Sequence, residues 1–203
     1  MEYIEMYQVT ANSTLNYYFV KDNKKYLHAV FRDFEYVIEY QGGMIYSIRY
    51  YNKSAEMKKV FGKDRYYEIY DNRNVLVGKV DDLASNSREF GILFNNVSYY
   101  AKKEFLGTNI VFFDVTGTIL GYAIDIPNSE DAYRVYYRDK SMEDIIVLLT
   151  VYADLKWSSV AREYIETNSE TGFVSPKYKS PHRHDVKAFK EQIKASKIYS
   201  GGL

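Results

Sequence analysis

One stretch constrains the fold more than any other. Nine residues from Ile145 to Ala153 read Ile-Ile-Val-Leu-Leu-Thr-Val-Tyr-Ala, with Asp144 ahead of them and Asp154 behind. Continued through Leu155-Lys156-Trp157, the run is long enough for a helix, and its first turns are apolar nearly all round. A helix of that kind has to be covered on every side. It falls well short of the ~20 residues that a membrane span needs. Ser141-Met142-Glu143-Asp144 resembles a capping box, and acids in a first turn suit the helix dipole. The reading is a hydrophobic helix over about 141–160.

What could cover it comes from the rest of the chain. Residues 3 to about 140 are rich in Tyr, Phe, Val and Ile, with turn residues at short intervals, which is a strand pattern. The three prolines, Pro127, Pro176 and Pro181, all lie beyond residue 126, so the ladders upstream are free of them. Tyrosine makes up 23 of 203 residues and often comes in doublets: Tyr17-Tyr18, Tyr50-Tyr51, Tyr66-Tyr67, Tyr99-Tyr100 and Tyr136-Tyr137. Successive strand side chains point to opposite faces, so each doublet puts one ring on each face. Among strands, only a closed sheet surrounds a helix. The expectation is a mainly β chain, an antiparallel β-barrel threaded by the helix.

An internal repeat supports the hairpins. Tyr70-Asp71-Asn72-Arg73-Asn74-Val75-Leu76-Val77-Gly78 aligns with Phe113-Asp114-Val115-Thr116-Gly117-Thr118-Ile119-Leu120-Gly121. Asn74 and Gly117 occupy the same place, and both residue types accept the left-handed region. That predicts a type I turn with a bulge, its aspartate bonding turn N–H groups. Asp71, Gly78, Asp114, Gly117 and Gly121 are therefore read as structural, as is Leu148 in the helix. Weaker copies start at Asp22 and Tyr40.

Repeated Asp-to-Gly hairpins followed by one apolar helix resemble the tubby C-terminal-like superfamily, which includes tubby domains, LURP-one-related proteins, phospholipid scramblases and small bacterial tubby C-terminal-like domain proteins. The resemblance rests on Tyr66-Tyr67-Glu68-Ile69-Tyr70-Asp71 with Val77-Gly78-Lys79-Val80, on Ile110-Val111-Phe112-Phe113-Asp114 with Leu120-Gly121, and on Ile145 to Trp157. It covers roughly residues 3 to 160. It implies a roughly twelve-stranded closed barrel around a central hydrophobic helix. Tubby domains bind phosphoinositide head groups through basic surface side chains, so it also implies a lipid-binding role.

The expected organisation is a barrel with its helix over 1–165, then a linker and an amphipathic tail over 166–203. Val186, Phe189 and Ile193 recur at spacings of three and four, with Lys187, Lys190, Lys194 and Lys197 around them. A second basic cluster, Lys53, Lys58, Lys59, Lys63 and Arg65, lies beside Met57, Val60 and Phe61. Lysines beside apolar anchors suit an anionic membrane surface. Lys+Arg and Asp+Glu both total 27, which argues against a polycationic nucleic-acid binder. The absence of cysteine removes disulfides, thiolate zinc and a cysteine nucleophile.

No catalytic constellation stands out. His28 reads as a packed strand residue, and His182-Arg183-His184-Asp185 lacks a second ligand cluster. Gly42-Gly43 precedes a strand-like run, and the acid pairs Asp81-Asp82 and Glu130-Asp131 read as solvated. No metal and no cofactor is expected. The expectation is a non-enzymatic module that binds an anionic ligand, first of all a lipid head group. The alternative is a protein-interaction module (inhibitor, immunity or adaptor protein) using a tyrosine-rich surface. With no signal-like N-terminus and no transmembrane segment in the sequence, a cytoplasmic chain with peripheral membrane contact is expected.

Overall fold

A computed structural model of the chain describes residues 1–11, 14–32, 35–40, 43–52, 65–81, 88–104, 108–126, 129, 132–157 and 186–200. Twelve strands form in chain order: β1 (Glu2–Ala11), β2 (Thr14–Lys21), β3 (Lys24–Arg32), β4 (Glu35–Tyr40), β5 (Gly43–Asn52), β6 (Arg65–Asp71), β7 (Leu76–Asp81), β8 (Glu89–Phe94), β9 (Val97–Lys103), β10 (Ile110–Asp114), β11 (Ile119–Asp125) and β12 (Ala132–Tyr137). Each pairs antiparallel with its sequence neighbours. β1 also pairs with β12, from Glu2 opposite Tyr137 to Tyr7 opposite Ala132, which closes the barrel. Closure removes every sheet edge that could recruit another chain.

Two helices follow among the described residues: α1 (Glu143–Trp157), entered through a 3-10 turn at Lys140–Met142, and α2 (Val186–Ser200). The 3-10 turn corrects the reading of the helix start. Its cap is Asp139, whose carboxylate accepts from the Ser141 N–H at 2.9 Å. Ser141 lies inside the turn. Glu143 is buried and bonds other side chains, so it does not serve as a capping-box acid.

Ile145 to Ala153 are all buried, as an apolar helix surface demands. Contacts to α1 come from many strands. Tyr17 of β2 donates to Asp154 at 2.9 Å. Tyr67 of β6 and Phe90 of β8 meet the Tyr152 ring edge-on, and Phe90 also meets Trp157. Tyr26 of β3 and Tyr137 of β12 both donate to Glu143.

The tyrosine doublets split as the strand geometry requires. Tyr17 is buried, while Tyr18 stacks on His28 on the outer face, with ring centroids 4.7 Å apart. Tyr99 packs against the main core and Tyr100 against a second cluster outside the barrel.

The two repeated hairpins are built alike. Asp71 accepts from the N–H groups of Arg73 and Val75, and Asp114 from those of Thr116 and Thr118. Asn74 and Gly117 both take positive φ, at 60° and 85°. Both ladders then slip by one residue, a bulge at Val77 in one and at Leu120 in the other. Gly78 and Gly121 come straight after the bulges, where the neighbouring strand leaves no room for a Cβ. The Asp22 copy differs. Asp22 and Asn23 both have positive φ, the mark of a two-residue type I′ turn, although its ladder also slips by one residue, at Tyr26. Asn95-Asn96 makes another such turn. In the Tyr40 copy, residues 41 and 42 lie outside the described residues.

Candidate functional site

Because strand direction alternates, the β2–β3, β4–β5, β6–β7, β8–β9 and β10–β11 turns lie at one end of the barrel, together with the start of β1 and the N-terminus of α1. The longer connections lie at the other end. Lys53, Lys58, Lys59 and Lys63 fall outside the described residues, and Arg65, which opens β6, has no described side chain.

The tail lysines are placed by α2. Phe189 and Ile193 are fully buried against Val111, Phe113, Ile119, Tyr122 and Tyr136 on the outer side of β10, β11 and β12. The tail therefore docks on its own barrel. Lys190 reaches Glu104, just beyond β9, at 2.8 Å, and Tyr122 donates to the same carboxylate at 2.6 Å. Lys190 also lies over the Tyr122 ring, and Arg138 over Phe189 at 5.1 Å. Burial alone would raise the Glu104 carboxyl, but the Lys190 and Tyr122 bonds outweigh it and hold the group below its ordinary value. Burial, helped by Glu104, pushes the Tyr122 phenol up to about 12. Lys190 is thus a latch between tail and barrel. Lys187 and Lys194 stay exposed, with Lys194 against Glu191 on its own helix. The side chain of Lys197 falls outside what is described.

At the turn end, a charged group that sequence reasoning missed surrounds the start of α1. Lys21 Nζ lies 2.7 Å from Glu2, 2.8 Å from Glu143 and 3.1 Å from the Tyr137 hydroxyl. Burial pulls the Lys21 ammonium down, but the bonds to Glu143 and Glu2 more than reverse that and raise it. Burial would likewise raise Glu143, yet hydrogen bonds from Lys21, Tyr137 and Tyr26 hold it lowered. Its parts come from positions 2, 21, 26, 137 and 143, and only barrel closure brings them together.

The tyrosine hydroxyls have a common use. Among the described residues, tyrosines that donate to carboxylates include Tyr7 to Glu5, Tyr17 to Asp154, Tyr26 and Tyr137 to Glu143, Tyr46 to Asp144, Tyr70 to Glu68 and Tyr122 to Glu104. Two of those pairs, Tyr7 with Glu5 and Tyr70 with Glu68, are two residues apart, a signal present in the sequence. Among the described residues Tyr3 is the one tyrosine among the exposed large hydrophobic side chains. His28 bonds Asn16 at 3.1 Å, and burial lowers its pKa. His182, His184, Asp82, Glu130 and Asp131 lie outside the described residues, and the side chain of Asp81 is not described. Among the described residues no group of three or more His, Asp or Glu could hold a metal ion. Among the described residues no helix is long and apolar enough to cross a membrane.

No family model matches the chain, and no curated protein and no solved structure matches it.

Proposed function

We propose that this chain is a non-enzymatic binding module of tubby-like build, with α1 running through the barrel, and that it binds an anionic ligand, first of all lipid head groups at a membrane surface. The central course of α1 is supported by its contacts: side chains from β2, β3, β6, β8 and β12 all reach it. The non-enzymatic reading is supported by how the acids are used. Glu143 is buried and already accepts from Lys21, Tyr26 and Tyr137, so little of it is left for a substrate.

The observation that carries the binding reading is the seating of α2. Its apolar side is spent on the barrel, which leaves Lys187 and Lys194 exposed. A tail docked this way meets a membrane through charge alone. Its contribution should then depend on anionic lipid and weaken with salt. Flotation on vesicles of neutral phosphatidylcholine, with and without phosphatidylserine, tests this. Added binding on the anionic vesicles that is lost at high salt and reduced in Lys187→Glu/Lys194→Glu is expected. Binding indifferent to lipid charge in both proteins sinks the anionic reading.

A further inference from the structure

Eight large hydrophobic side chains are exposed among the described residues, and five of them gather on neighbouring hairpins: Val75, Leu76, Leu93, Val97 and Val115, each 41–55% exposed. The ladder places them side by side. Asn95 donates its N–H to the Val77 carbonyl at 2.8 Å, one residue from Leu76. Asp114 stands opposite Tyr99, which sets Val115 beside the β9 end that carries Val97. The β6–β7, β8–β9 and β10–β11 turns thus form an aliphatic rim at the turn end of the barrel. The other three, Met1, Tyr3 and Val9, lie on or before β1.

We propose that this rim is a membrane-contact edge whose aliphatic side chains enter the interface of a lipid bilayer. Two features select a bilayer over a protein. Protein hot spots are built from Trp, Tyr and Arg in desolvated pockets, with Leu and Val under-represented. The rim is aliphatic and stands on convex turn tips. The charge at the tips is also suited to lipid. Asp71 and Asp114 turn their carboxylates back onto their own turn N–H groups, and the second Asp71 oxygen pairs with the Arg73 guanidinium at 3.0 Å, so the tips carry little net charge although the Arg73 side chain is 80% exposed. The other tip residues include Asn72, Asn95, Asn96 and Thr116, which are polar and uncharged. Apolar side chains flanked by such groups bind at the head-group boundary. The rim deepens the lipid reading above, yet it works through apolar contact and needs no anionic lipid.

The test uses the full chain and Val75→Asp/Val115→Asp. Both positions are exposed, so the variant should keep the wild-type circular dichroism spectrum and Tm. On phosphatidylcholine vesicles the wild type should bind, with less than about a twofold change between 0.1 and 0.5 M salt, and the double variant should bind at least tenfold more weakly. Equal binding by wild type and variant overturns the rim. Binding that needs phosphatidylserine and ignores the variant overturns the rim but keeps the anionic reading. Binding to neither vesicle overturns both. A stoichiometric protein partner lost in the variant, without vesicle binding, assigns the rim to a protein and also overturns the proposal.

Discussion

Gly121 and Asp154 show what single residues contribute. A Cβ on Gly121 would lie 2.8 Å from both Ile146 Cδ1 and the Tyr136 carbonyl oxygen. A backbone oxygen cannot swing aside, so Gly121→Ala should destabilise by about 1–3 kcal/mol. At Gly91 the added Cβ would meet only the Tyr100 ring and a carbonyl at 3.4 Å and beyond, an ordinary contact. Gly91→Ala should therefore cost clearly less in urea denaturation, and equal losses would refute the close-approach account. Tyr17→Phe removes a donor from the fully buried Asp154 carboxylate. It should cost about 1–3 kcal/mol, against little for Tyr7→Phe, whose partner Glu5 lies nearer solvent. The glycines and turn aspartates were legible because a hairpin is local. The reason Gly121 must be bare was not, because Ile146 and Tyr136 arrive from elsewhere in the chain.

The two helices were legible to different depths. The composition of α1 announced a helix buried on every side, and Leu148 is fully buried. Leu148→Asp should abolish cooperative unfolding, because an unpaired charge would sit in the core. A soluble mutant with a sharp transition would refute its core position. The start of α1 differs from the sequence pattern because Asp139 caps a 3-10 turn that mimics a capping box two residues later. The spacing of Val186, Phe189 and Ile193 gave α2 its apolar face, but not what that face covers. A clue was present. Ile110-Val111-Phe112-Phe113 runs apolar without alternating, which is how a strand buried on both faces reads. Phe189→Asp should release the tail while the barrel stays folded. Hydrogen exchange should then show α2 losing protection while β2 to β8 keep theirs. Unchanged protection in α2 would mean that Phe189 does not hold it.

For the molecule as a whole, the feature least visible in the sequence is the seam that closes it. Glu2, Lys21, Tyr137 and Glu143 tie β1, β2, β12 and the start of α1 together, yet they come from both ends of the described barrel sequence. No local pattern marks them, since each one alone reads as a solvated side chain. Their titration gives the seam a measurable signature. Glu2 is lowered by its hydrogen bond to Lys21, against burial. Glu143 is lowered although burial opposes it, through Lys21, Tyr137 and Tyr26. A carboxylate lowered by folding binds fewer protons in the folded state than in the unfolded one. Its stabilisation is complete above the unfolded value, near 4.5 here, and is lost as pH falls through the folded value. Urea midpoints should therefore fall on acidification below about pH 4.5. Glu104 adds to the fall in the same direction through the tail latch. Glu143→Gln keeps the shape but removes the titration, so it should be less stable at pH 7 and lose less on acidification. Parallel curves for the two proteins would mean that the seam does not couple proton uptake to closure of the barrel.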